Sequence, residues 1–158
     1  METIKFLSHI KRKPQAIAWV KGSAYYPKIG GTVAFYQAEE GVIVLSCISG
    51  LPESEDNCKN PIFAMHIHSG GKCSGNSKDF FADAGTHYNP NGCPHPYHAG
   101  DMPPLFGVNG LAFSAFLTDR FSAEEIIGKT VIIHYEPDDF ISQPAGNSGT
   151  KIACGVIM

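Results

Sequence analysis

Six of the seven histidines in this 158-residue chain fall where they could act together. His66 and His68 are one residue apart, and on a strand both imidazoles would project from the same face. Such a pair is by itself a weak sign of metal binding. His87, His95, His98 and Asp101 follow at spacings of 8, 3 and 3 residues, inside a segment without apolar periodicity. A compact set of three imidazoles and one carboxylate suits Zn²⁺. His134 stands in an apolar run (VIIHYE) and, taken singly, reads as a half-buried core histidine. Counting ligands narrows the choice. Three histidines and Asp101 would close a tetrahedral zinc site with no open position. His66, His68 and His134 remain, and three imidazoles suit copper. If His87 used both ring nitrogens, it would complete the copper set while still serving zinc. His9, in the polar N-terminal segment, has no place in this pattern.

The elements that would hold these groups are short β-type runs. Val, Ile, Phe and Tyr dominate residues 15–21, 32–37, 42–48, 62–68, 110–117, 130–135 and 151–157, as half-buried strands require. In the first run Ala16, Ala18 and Val20 point one way and Ile17, Trp19 and Lys21 the other. Seven or so strands with frequent turn signals predict an all-β sandwich or barrel. The one helical candidate is residues 122–127, where Ser122 and Glu125 have capping-box spacing. Residues 69–105 and 136–149 break the rhythm, and loops this long in a compact domain are usually functional. Both begin directly after a histidine-bearing run.

Composition narrows the function classes. The length fits a single domain spanning 1–158, with residues 1–14 expected to be an N-terminal extension. Twelve basic against fifteen acidic residues give a net charge of −3, which argues against nucleic acid as a partner because that needs a concentrated positive face. No apolar run approaches the ~20 residues of a membrane-spanning helix. The N-terminus lacks the charge and apolar stretch of a secretory leader, so a cytoplasmic location is expected. The five cysteines are an odd number, so at least one is unpaired within the chain.

The motifs then become specific. H-I-H at His66–His68, T-H-Y-N-P around His87, H-A-G-D-M-P-P-L from His98, I-G-K-T-V-I-I-H ending at His134 and G-N-S-G-T-K-I-A-C-G-V-I from Gly146 resemble the Cu,Zn superoxide dismutase family over residues 16–157. The resemblance implies an eight-stranded Greek-key β-barrel or sandwich with two long functional loops. It implies copper on His66, His68, His87 and His134, zinc on His87, His95, His98 and Asp101, and His87 bridging the two. It implies a disulfide between Cys73 and Cys154, which would close a loop of about 80 residues and stabilise the fold by about 4 kcal/mol. Asp138 matches the carboxylate that accepts hydrogen bonds from one copper and one zinc histidine. Lys151 takes the position where the family usually carries arginine beside the copper. The implied reaction is disproportionation of superoxide anion to dioxygen and hydrogen peroxide, with His87 and Lys151 as catalytic residues. Since the family contains both dimers and monomers, a homodimer is compatible with it.

The chain also departs from the family pattern. Lysine keeps the charge that attracts superoxide but lacks the planar fork of arginine; Lys129 and Arg120 are weaker candidates for the guiding cation. The stretch from His134 to Lys151 is short, and that between His95 and His98 is compressed. Residues 52–61 read as an insertion, and Ala64-Met65 replace the family's Gly-Phe. Cys47, Cys58 and Cys93 have no counterpart, and Cys93 is either a plain loop thiol or a stray ligand. Two other function classes stand beside the enzyme: a copper-buffering relative with little turnover, and a zinc-only structural protein.

Overall fold

The computed structural model describes residues 8, 10–56 and 61–158; His9 and Cys58, and part of the insertion at 52–61, lie outside the described residues. Among the described residues nine strands form: β1 (Ala16–Gly22), β2 (Gly30–Gln37), β3 (Val42–Ser49), β4 (Ile62–Phe63), β5 (Met65–His68), β6 (Leu105–Phe106), β7 (Ala112–Thr118), β8 (Thr130–His134) and β9 (Lys151–Val156). Seven make one curled antiparallel sheet in the order β5-β8-β9-β1-β2-β3-β7. The β4–β6 pair stands at the seam, since β4 runs into β5 through Ala64 and β6 turns into β7 through Val108 and Leu111. Counting β4 and β5 as one interrupted run gives eight strands, and the fold is the Greek-key β-barrel expected from the motifs. Among the described residues no helix is long and apolar enough to cross a membrane.

The core follows from alternation. Ala16, Ala18 and Val20 of β1, Val33 and Phe35 of β2, and Val42, Val44 and Ile48 of β3 point inward, while Trp19 remains exposed on the outer face. The strands β5, β8 and β9 differ because both of their faces are covered. Met65, Ile67, Val131 and Ile133 enter the core, whereas Ile132 and Cys154 pack outside it against Phe81 and Ala84 of the long loop. A disulfide from Cys73 to Cys154 fastens that loop to β9. Cys47 and Cys93 are free thiols.

The expected helix at 122–127 does not form. Its capping box does: the Ser122 amide and hydroxyl both donate to Glu125 Oε2 at 3.0 Å. The backbone nevertheless continues as turns, with Ile127 N–H donating to the Glu124 carbonyl and Lys129 N–H to that of Ile126. Two turns' length is too short to repay helix nucleation, and Phe121, Ala123 and Ile126 are instead buried in the core. A 3-10 turn, Ala82–Ala84, forms inside the long loop.

Candidate metal centre

His66 and His68 alternate with core-facing Met65 and Ile67, so the pleat places both imidazoles on the outer barrel face. In the ladder His66 stands opposite Ile132 of β8, and His134 lies two residues beyond, on the same face. The free edge of β5 is completed by the long loop. His68 bridges to His87 and His66 to Asp101, with Tyr88 N–H donating to the Ile67 carbonyl and Ile67 N–H to that of Gly100, each at 2.8 Å. Gly100 is required here, since a side chain would run into the Ile67 carbonyl oxygen. Backbone pairing thus delivers two loop ligands to the strand pair.

All seven candidate ligands are buried, none more than 8% exposed. They form two groups of four, His66, His68, His87, His134 and His87, His95, His98, Asp101, and within each group the ligand atoms lie within 4.8 Å of one another. His87 belongs to both. Its Nδ1 lies 2.7 Å from Asp101 Oδ1 and 3.4 Å from His98 Nδ1, while its Nε2 is buried without a hydrogen-bond partner.

The outward bonds fix which nitrogen of each ring is bare. Asp138 accepts from His66 Nε2–H at 2.7 Å on Oδ2 and from His95 Nε2–H at 2.9 Å on Oδ1. That leaves Nδ1 of both rings buried with no hydrogen-bond partner, although His95 Nδ1 sits 3.0 Å from Asp101 Oδ2. His68 Nδ1–H donates to the Gly85 carbonyl at 2.8 Å and His134 Nδ1–H to that of Gly149 at 3.3 Å. Their bare Nε2 atoms then face each other at 3.3 Å. Lone pair against lone pair, and lone pair against carboxylate, are repulsive unless a cation lies between them. An orphaned buried polar atom costs about 1–3 kcal/mol, so several in one place fit metal ions and fit little else.

Electrostatics agree. Burial, reinforced by the charges of neighbouring histidines, pushes His68 down to about 2 and His134 down to about 3, so both rings are neutral at physiological pH. His66 and His98 are lowered too, chiefly by burial. Burial alone would raise Asp138, but the N–H groups of His66, Phe140 and His95 outweigh it and hold it at about 2. Asp138 is therefore a fixed anion that orients one ligand of each group.

Several supporting residues carry no motif of their own. Gly146 has φ 65°, and a side chain there would strike Asp138 Oδ1 and come within 2.7 Å of His95 Nε2; its place in the G-N-S-G-T-K stretch was the available signal. Arg120 Nη1 donates to the carbonyls of Pro96 at 2.9 Å and of His98 and Asp101 at 3.3 Å. It clamps the 95–101 turn. Lys129 is also engaged, 4.4 Å above the Tyr88 ring. Cys93 belongs to neither ligand group; its backbone bonds to the Asn89 amide group. A cavity of about 610 Å³ opens over His68, His87 and His134, with Lys151 on its wall. The Lys151 ammonium, however, is bonded to Asp79 Oδ2 at 2.7 Å and to the Phe81 carbonyl at 3.2 Å.

Comparison with known proteins points the same way. Residues 29–157 match the family model for copper/zinc superoxide dismutase. A superoxide dismutase [Cu-Zn] of Aquifex aeolicus is 32% identical over 142 residues, 80% of this chain and 78% of that protein. One from Photobacterium leiognathi is 33% identical over 80% of this chain and 78% of its own length. One from Cryptococcus neoformans is 31% identical over 159 residues, 90% of this chain and 96% of that protein. With the barrel, the paired ligand groups and these matches in agreement, the chain belongs to the copper/zinc superoxide dismutase family.

Proposed function

We propose that this chain disproportionates superoxide to dioxygen and hydrogen peroxide, with His66, His68, His87 and His134 holding copper and His87, His95, His98 and Asp101 holding zinc. The observation that carries this reading is His87, which belongs to both ligand groups, with Nδ1 beside Asp101 and His98 and Nε2 buried without a hydrogen-bond partner. Copper would supply the one-electron redox change, and zinc, which has none, a fixed charge beside the shared imidazole. The rest falls to the chain. His68 and His134, neutral by burial, supply lone pairs rather than protons. His87 lines the cavity, and its Nε2, buried without a hydrogen-bond partner, is the atom at which a proton for peroxide would be held. Asp138 keeps the Nδ1 atoms of His66 and His95 bare. Lys151 supplies the local positive charge that a protein of net charge −3 needs to draw in an anion. This reading treats residues 1–158 as a single domain and extends to a homodimer; exposed Trp19 and Phe113, in one row across the outer face, support the latter.

Elemental analysis joined to a superoxide-scavenging assay on copper- and zinc-reconstituted protein tests the reading. One copper and one zinc per chain with fast turnover are expected. Both metals without turnover would indicate a copper-buffering protein, and zinc alone a structural one.

A further inference from the structure

Among the described residues lining the cavity, Lys151 is the one side chain with a permanent charge; the others are histidines, amides, hydroxyls and small groups. It opens β9 and stands directly opposite His134 in the β8–β9 ladder, where a register shift makes Lys151, not Ile152, the partner. A bulge of this kind re-aims side chains at a strand end. Its charge lies close enough to His134 to oppose protonation of that ring.

The same ammonium is held from the loop side. Asp79 Oδ2 accepts from Lys151 at 2.7 Å, and the other oxygen, Oδ1, accepts from Phe81 N–H at 3.0 Å. The carboxylate is preset by its own turn: Asn76 Oδ1 accepts from the amides of Lys78 and Asp79, and Asp79's carbonyl accepts from Asn76 and Ala82. Gly75 packs so closely that a side chain there would meet the Asp79 carbonyl oxygen. Cys73, at the start of this turn, is bonded to Cys154, three residues after Lys151. Both partners of the ion pair therefore sit on backbone tied together by the disulfide. With the Asp79 side chain 39% exposed, a pair of this kind contributes little to stability. Its larger effect is on the field: a lysine with a carboxylate at contact distance acts beyond a few ångströms as a dipole, not as a full charge.

We propose that Asp79 is a positioning residue that holds Lys151 on the cavity wall and attenuates the pull of that lysine on incoming anions. The proposal rests on the superoxide dismutase reading of the site. Neutralising Asp79 while keeping its shape releases the full lysine charge toward the cavity.

The test uses the full chain loaded with both metals. Asp79→Asn keeps an oxygen for the Phe81 amide, and Asp79→Ser serves if the amide variant folds poorly. Azide, a small monovalent anion, is titrated against the copper absorption band, and kcat/KM for superoxide is followed against ionic strength. Asp79→Asn should bind azide about threefold more tightly at low salt and lose rate more steeply as salt rises. Asp79→Glu, which keeps the charge, should resemble wild type. In a Lys151→Met background, Asp79→Asn should change neither readout. Unchanged or weaker azide binding in Asp79→Asn, or an effect that persists without Lys151, would overturn the proposal. Wild type that loads copper but does not turn over superoxide would defeat the enzymatic reading alone, because the azide comparison still reads Asp79. Wild type that loads no copper would overturn both.

Discussion

Asp138→Ala separates the contributions of strand and loop to the two ligand groups. The carboxylate accepts one N–H from His66 and one from His95, so each group loses one charge-assisted bond, not two. Such a bond is worth about 1.5–3 kcal/mol, and loss of a partner behind a ligand typically lowers metal affinity by about 10–100-fold; the two scales agree. The two histidines are not equally held without it. His66 stays in β5, paired along the ladder to β8. His95 is on a loop, and its remaining anchor is Gln143, which accepts from its amide at 2.9 Å and donates to its carbonyl at 2.6 Å. Zinc affinity should therefore fall by about 100-fold and copper affinity by about tenfold. Equilibrium dialysis against a chelator, with each metal measured by elemental analysis, reads both numbers. Wild-type affinity for both metals, or copper lost while zinc is kept, would refute the reasoning.

Three further outcomes are expected. Cys154→Ser removes a cross-link spanning 81 residues, which by unfolded-chain entropy lowers stability by about 4.5 kcal/mol; an unshifted urea midpoint against the oxidised protein would contradict this. Arg120→Met frees the carbonyls of Pro96, His98 and Asp101, so amide hydrogen exchange across 97–101 should quicken about tenfold while β1–β3 are unchanged; equal protection throughout would remove the clamp. In metal-free protein His68 and His134 titrate at about 2 and about 3 when folded, against 6.5 when unfolded. The unfolded chain then binds more protons below pH 6.5, and stability should fall with pH there by up to about 1.4 kcal/mol per unit for each histidine. A flat denaturation profile between pH 7 and pH 5 would contradict their burial as neutral rings.

The ligands and most of the barrel were legible in the chain because both follow local rules. Period-two alternation located β1, β2, β3, β7, β8 and β9 within a residue or two, and H-x-H on a strand necessarily puts two imidazoles on one face. The candidate set His66, His68, His87, His95, His98, Asp101 and His134, and its division into two groups sharing His87, needed only residue types, spacing and a ligand count, and the family motifs implied the same division. Strand β6 and the break at Ala64 left little trace, because two-residue strands have no period to read. The turn at 122–127 shows the opposite failure: its capping box formed, yet burial of Phe121, Ala123 and Ile126 in the core decided the backbone.

What only the tertiary structure decided lies between segments distant in sequence. Which nitrogen of each ring is bare depends on carbonyls at Gly85 and Gly149 and on Asp138, 72 residues from His66. That Gly146 must lack a side chain follows from the Asp138–His95 bond it lies against. The cations show the same principle. Sequence places Lys151, Arg120 and Lys129 as three positive charges near the site, but charge alone does not say where each points. Folding directs Arg120 to loop carbonyls, Lys129 to the Tyr88 ring and Lys151 to Asp79. A side chain's formal charge is fixed by its type, whereas the field it presents at a cavity is set by the partner within hydrogen-bond reach, and that partner is chosen by the packing of the whole chain.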